Sequence, residues 1–489
     1  MQQYNNKLDT YYSLLNEKEN ELNDLKLLID KEKCIKAEKL KSKFISDCVL
    51  MIMRQQDFEN NIYTQMIITS HLKNNYSFNE YVSLIRNNLK LDFNNDNIKW
   101  LYDNSNLSYS DKTIKYLANE YLKEYNCITK QFLRDTILCN GISNTIIVDC
   151  IHFINDHKYV FSHGVWYEFK DNIWKISTEF NRNLLMDETF TIINDLINEE
   201  KFGSDYKKFI TSFARKIHMF NELKYLFNID KKNRRFDGST DLYAFKNSIL
   251  DTNIQLIGFT NGIYDMKHNL FRKGYPEDYV SITTGYDYKR FDLSDRKINE
   301  LNKILDQMFR NENFKTKYLQ FCKNSLLGIS IDELTLFNND EVELDTLINC
   351  NLQLIKDSFG EYFSFSSEKI CSTIWGYDIP YTYDHIGKRI LFVKNTSRNH
   401  NIIKNIDKLN EKVQNARKLF TGENLPFNKN YSLVTNAGTV NAKNAKNAKN
   451  SQNSLNRFDL MNLNNNSVDI KEYTQAFMWL LINKVVYLN

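Results

Sequence analysis

The only Gly-Lys pair in the chain is Gly387-Lys388. A phosphate cradle needs glycines, so that successive backbone N–H groups can turn toward the phosphate oxygens. It also needs a lysine for the terminal phosphates and a Ser or Thr hydroxyl for Mg2+. Around this pair those conditions fail, because Arg389 takes the place of the hydroxyl and Thr382 stands where the first loop glycine belongs. A second stretch is notable for the opposite chemistry. Residues 329–355 hold Asp332, Glu333, Asp340, Glu341, Glu343 and Asp345, with no Gly, Lys or Arg among them. Elsewhere no acid–base dyad or nucleophile constellation stands out, and the eight histidines are isolated. The eight cysteines include no C-x-x-C pair, which argues against a zinc ribbon and for a reducing compartment.

Charge and composition narrow the rest. A net charge of +3 gives no global electrostatic case for nucleic acid. Two local basic clusters, Lys31 to Lys43 and Lys231 to Arg235, read first as a solvated helix face and a loop. Aromatic residues make up 13% of the chain at helix or strand spacing, which favours core packing over base stacking. The polar N-terminus is unlike a secretory signal, and no apolar run reaches the roughly 18 residues of a membrane span. With 489 residues, about two to four domains are expected. Only 14 Gly and 3 Pro allow long unbroken helices.

The elements that must position these groups follow from periodicity. In residues 5–33, Leu8, Tyr11, Leu15, Leu22, Leu25 and Ile29 fall on a and d heptad positions, with Lys18 interrupting the d row and Glu32 ending it. This predicts a coiled coil that self-associates, or a long amphipathic helix packed on its own domain. Helical periodicity continues through 40–135. Residues 165–169 and 173–176 are β-rich around Asp171-Asn172 and predict a hairpin. Helix returns over 181–228, and Asn261-Gly262 marks a tight turn within 256–266. Residues 297–327 are helical, with Ile298, Leu301, Ile304, Leu305, Met308 and Phe309 on one face. After 328 the runs alternate as in an α/β domain, with buried strands at 390–393 and 431–435. Three Asn-Ala-Lys repeats at 441–450 read as a loop insertion, and a last helix spans about 469–487.

Several uncommon motifs occur in one order: Trp166-Tyr167-Glu168-Phe169 with Trp174, Ile257 through Asp265, Phe271-Arg272 through Pro276-Glu277-Asp278-Tyr279, and Thr283-Thr284-Gly285-Tyr286. Together, residues 145–290 resemble the domain that precedes the helicase in primase–helicases of poxviruses and other nucleocytoplasmic large DNA viruses. Residues 297–489 resemble the superfamily 3 helicase domain that follows it, an AAA+-like ATPase assembling as a hexameric ring on DNA. The resemblance implies a mixed α and β chain in four parts. These are a coiled coil or long helix at 1–40, a helical region at 41–140, an α+β accessory domain at 141–295, and a degenerate AAA+-like α/β helicase core at 296–489.

In that family the phosphate loop lies between the counterparts of Leu326-Leu327-Gly328 and Phe359-Gly360-Glu361-Tyr362-Phe363. Here that interval is the acidic stretch 329–355. The Gly-Lys-Arg at 387–389 resembles the lead into the Walker B strand, where an acidic residue should follow; Lys394, Asn395 and Thr396 follow instead. By this resemblance Thr346, Asn395, Asn436 and Arg457 are vestiges of the Mg2+ hydroxyl, the Walker B acid, the polar sensor and a late arginine. No catalytic residue, metal or cofactor is expected, although the family uses ATP and Mg2+. Three functions stay open: a non-catalytic replication homologue, an NTPase with a non-standard site, and a coiled-coil scaffold. A decaying remnant is a fourth outcome. The resemblance also implies a homo- or hetero-oligomer with a helicase ring, DNA as a weakly supported ligand, no membrane, and action in host cytoplasm or a viral replication factory.

Overall fold

The computed structural model describes residues 2–55, 61–88, 95–105, 109–162, 164–178, 182–199, 212–230, 249–308, 312–328, 335–337, 353–366, 388–394, 417–421, 432–435, 438–441 and 470–484. The chain is mixed α and β and mostly helical. It divides into two compact units, one of residues 1–169 and 176–230, the other of residues 170–175 and 231–489.

The first unit is built on α1 (Gln2–Met53), a single helix through a stretch that contains neither Gly nor Pro. Its C-terminal part buries Phe44, Ile45, Cys48, Val49 and Ile52. Around it lie α2 (Ile62–Lys73), α3 (Phe78–Asn88), α4 (Asn95–Asn104), α5 (Asp111–Tyr121), α6 (Tyr125–Asn140) and α7 (Asn144–Asn155). Side-chain caps start three of these: Asn61 Oδ1, Ser110 Oγ and Ser143 Oγ accept from Thr64, Lys112 and Ile146 N–H groups. Phe44 meets Tyr125, Phe132 and Phe153 at ring distances of 5.1 to 6.3 Å, so one α1 aromatic ties α6 and α7 together. Strand β1 (Tyr159–Ser162) pairs antiparallel with β2 (Val165–Lys170), Tyr159 opposite Glu168. Helices α8 (Arg182–Asn198) and α9 (Phe213–Phe227) complete the unit, and Trp166 stacks on Phe220 at 5.9 Å.

The expected hairpin is present. Asp171 and Asn172 take φ of 52° and 72° between β2 and β3 (Ile173–Ile176), the left-handed geometry that Asn and Asp tolerate best. Within the second unit, Trp174 is fully buried and donates its indole N–H to the Pro276 carbonyl at 2.9 Å. Strands β4 (Leu256–Phe259), β5 (Gly262–Asp265) and β6 (Leu270–Arg272) form an antiparallel meander. Gly262 turns it with φ of 158°, and a Cβ there would stand 2.6 Å from the Arg272 carbonyl oxygen.

The helical run at 297–327 is two helices, α10 (Arg296–Met308) and α11 (Glu312–Leu326). The expected apolar face of α10 is buried at Ile298, Leu301 and Leu305. With α12 (Thr474–Asn483) these helices enclose one core that also takes in Ile257, Phe259 and Tyr264 of the meander, then Phe359, Tyr362 and Ile390. The last is the first residue of β9 (Ile390–Lys394). That strand belongs to a six-stranded sheet with β7 (Thr335–Phe337), β8 (Phe363–Ser366), β10 (Arg417–Thr421), β11 (Ser432–Thr435) and β12 (Gly438–Asn441). The order is β12-β11-β7-β10-β9-β8, with β8, β9, β10, β7 and β11 parallel and β12 antiparallel on β11.

Candidate functional site

An open parallel sheet offers one preferred place for a ligand. That place is the crevice at the carboxyl ends of the strands, where the strand order changes direction. Here the change falls at β7. The chain leaves β7 for β8 at one edge, and later passes from β10 to β11 on the other side of β7. Registers align the strand ends: Phe337 of β7 is opposite Thr421 of β10 and Val434 of β11, and Thr421 is opposite Lys394 of β9. Since neighbouring strands lie about 4.8 Å apart, the ends of β7 and β9 are about 10 Å apart across the intervening β10.

Thr346, Asn395, Asn436 and Arg457 lie outside the described residues. In the sequence, Asn395 comes next after Lys394, the last residue of β9, and Asn436 next after Thr435, the last of β11. The segment leaving the carboxyl end of β7 begins Asn338-Asn339-Asp340-Glu341-Val342-Glu343-Leu344-Asp345. Four carboxylates within eight residues therefore follow β7 in the sequence. The strand between β7 and β9 is β10, residues 417–421. Its run Arg417-Lys418-Leu419-Phe420-Thr421 carries two cations and gives no clear period-2 signal, so the pairing that makes it a strand is tertiary.

Beneath the amino end of β9 lies a buried polar cluster. Arg389, 2% exposed, directs its guanidinium toward the Asn253 and Leu256 carbonyls at 3.4 and 3.5 Å. Burial lowers its pKa, opposed by the nearby Tyr362 hydroxyl and the Asp251 carboxylate. Burial likewise raises the Asp251 pKa, opposed by hydrogen bonds from Ser281 and Ile282 and by Arg389. The Ser281 N–H donates to Asp251 Oδ1 at 2.7 Å. Tyr362 bridges two backbones: its hydroxyl accepts from Gly258 N–H at 2.7 Å and donates to the Ile282 carbonyl at 3.1 Å. Glu361 accepts from Thr283 N–H, Lys388 donates to the Glu361 carbonyl, and Arg389 N–H donates to the Tyr362 carbonyl at 2.7 Å. Gly328 adopts φ of 63° against this cluster, and a Cβ on it would stand 2.5 Å from an Arg389 guanidinium nitrogen. Lys388 and Arg389 are thus used here for backbone and carbonyl contacts that seat β9. The sequence singled out the tripeptide, but nothing in it marked Asp251 or Tyr362 as neighbours of Arg389.

A second buried pair ties the end of β6 to the turn that follows it, and Asp265 holds the β5–β6 turn. Arg272 forks onto Asp278 with two 2.7 Å bonds, and Asp278 also accepts from Tyr275 N–H at 2.7 Å. Asp265 accepts from Lys267 and His268 N–H groups and meets His268 Nδ1 at 2.8 Å. Arg272 and Asp278 stand in one sequence motif, but the fork between them is visible only in the fold. Among the described residues, no group of three or more His, Cys, Asp or Glu is placed to hold a metal ion, and no helix is long and apolar enough to cross a membrane.

Residues 151–310, from the end of α7 through the meander and α10, match the family described as D5 N terminal like. The chain is similar to "Putative helicase L207/L206" of Acanthamoeba polyphaga mimivirus, at 24% identity over 49% of this chain and 27% of that protein. It is also similar to "Putative helicase 184R" of Invertebrate iridescent virus 6, at 29% identity over 24% of this chain and 12% of that protein. The matched parts thus span about a quarter or less of these relatives' length.

Proposed function

Because this chain belongs to the D5-like primase–helicase family of nucleocytoplasmic large DNA viruses, we propose that it is a replication homologue without NTP turnover. It acts by contacts with protein or DNA, in host cytoplasm or a viral replication factory. The observation carrying this reading is the segment after β7, which supplies carboxylates where a nucleotide's phosphates need donors. At about 4 Å, each like-charge pair opposes binding by roughly 1 kcal/mol in water and about 4 in a partly shielded site. The end of β9 adds a second deficit. Lys394 repels Mg2+, and the Asn395 amide has no proton affinity with which to activate water. Two separate parts of one reaction centre are, in this reading, missing from the sequence that follows β7 and β9. In this reading the sheet is a degenerate AAA+-like core of superfamily 3 type, with Thr346, Asn395, Asn436 and Arg457 as its vestigial positions.

The test is calorimetry of the purified chain with Mg-ATP at millimolar concentrations, alongside phosphate release with and without single-stranded DNA. No heat of binding and no turnover are expected. Saturable binding that depends on Mg2+, or DNA-stimulated phosphate release, would overturn the reading and direct the search to a non-standard phosphate site.

A further inference from the structure

Helix α1 has two apolar faces, and only one is used by its own unit. Over its C-terminal third, Phe44, Ile45, Cys48, Val49 and Ile52 are 0 to 3% exposed. Further toward the N-terminus, Leu22, Leu25 and Leu28 are 52, 56 and 62% exposed, on the same uninterrupted helix. At 3.6 residues per turn, Leu22 and Leu25 lie on the side of the helix away from its buried face. A helix resting on its own domain along its whole length would keep one face inward. This one changes face, so its N-terminal stripe points where the buried part of α1 does not.

We propose that this stripe pairs with the same stripe of a second copy of the chain, forming a two-stranded coiled coil over about residues 8–29. Three features choose a second copy as the occupant. The stripe follows the a and d positions of a heptad repeat, the pattern that self-complementary helices bury. The single cation in that row, Lys18 at a d position, sits among Glu17, Glu19 and Glu21, and it already pairs with Glu21 at 2.7 Å. In a second copy, Glu19 at e and Glu21 at g flank the seam beside the first copy's lysine, so the polar layer is neutralised from both chains. In a parallel pair, Glu21 at g also faces Lys26 at e of the partner helix, an attractive contact that fixes register. A lone polar layer of this kind specifies alignment at some cost in affinity.

The experiment is sedimentation equilibrium on the full chain at tens of micromolar, repeated on a Leu22→Asp/Leu25→Asp variant. Both leucines are more than half exposed, so the variant keeps the fold, checked by an unchanged thermal transition. The wild type is expected at twice the chain mass or a multiple of it, the variant at half the wild-type value. A Lys18→Leu variant is expected to keep the double mass to lower concentration, since it removes the polar layer. A monomeric wild type, or a wild-type assembly whose mass the double substitution leaves unchanged, overturns the proposal.

Discussion

Replacing Tyr362 by Phe deletes one oxygen and leaves the ring in place. That oxygen is bonded on both sides, accepting from Gly258 N–H at 2.7 Å and donating to the Ile282 carbonyl at 3.1 Å. Tyr362 is 2% exposed, so water cannot take over without the core opening. The substitution therefore strands a buried donor and a buried acceptor. At about 1–3 kcal/mol for each stranded group, with some relaxation, the loss is about 2–4 kcal/mol. For a unit of this size that lowers the melting temperature by roughly 5–15 °C. Tyr286→Phe is the internal control, because the Tyr286 hydroxyl donates to one carbonyl, that of Ser358, and about half the loss is expected. Both variants are read by thermal scans and by urea midpoints, with m unchanged if the native surface is intact. A Tyr362→Phe midpoint indistinguishable from wild type, or a Tyr286→Phe loss at least as large, refutes the bridging role.

Gly360→Ala should be more damaging than Gly285→Ala. Gly360 has φ of 53°, and a Cβ there would stand 2.1 Å from the Thr284 carbonyl oxygen, a backbone atom that cannot rotate away. The expected loss is about 3 kcal/mol or more, against about 1 for Gly285, whose φ is 82° but whose Cβ would meet nothing within 4 Å. Urea denaturation of the pair measures the difference. In the first unit, burial lowers the His157 pKa from 6.5 to about 3, against the attraction of Asp156 and with repulsion from Lys115, Lys158 and Lys112. The native ring is neutral while the unfolded ring takes up a proton below about 6.5, so its contribution is complete above that pH and is lost as pH falls toward 3. The loss amounts to at most about 1.4 kcal/mol per pH unit over that window. His157→Phe, which keeps the ring contact with Tyr125, should flatten the acid limb of stability measured by urea midpoints between pH 7 and 4. An unchanged slope counts against His157 as the group responsible. Lys115 is buried and pairs at 2.8 Å with Asp156, which water partly reaches, so Lys115→Met is expected to cost about 1–3 kcal/mol, read by the same titration.

Much of the helical content was legible because it rests on local signals. The run of α1 without Gly or Pro, the α10 stripe and the Asp171-Asn172 turn each declare themselves within a few residues. Helix α7 and strand β1 were missed for the opposite reason. Asn144–Asn155 is apolar nearly all round, so its period is weak, and Tyr159–Ser162 is too short to show alternation before it pairs with β2. Strands β7 and β10 have three and five residues, and only pairing with each other and with β11 and β9 makes them strands. For the candidate site, the chemistry was legible but the geometry was not. The missing lysine and the six carboxylates can be counted in the sequence. That β7, β10 and β9 align at Phe337, Thr421 and Lys394 needs the sheet. The Asp251–Arg389–Tyr362 cluster brings Asp251 to two residues more than a hundred positions further on, and no local pattern encodes such a meeting.

The common core of the meander, α10 to α12 and the start of β9 also limits how this polypeptide can be cut. A fragment ending near residue 295 carries Ile257, Phe259 and Tyr264 away from Leu301, Phe359 and Phe477, which bury them. It also leaves Gly258 N–H and the Ile282 carbonyl without Tyr362. Each half would present a greasy face to solvent and is expected to precipitate or be degraded. Expression trials on this region should therefore keep residues 249–484 in one piece, and limited proteolysis of the whole chain should find its first cuts elsewhere than in the meander.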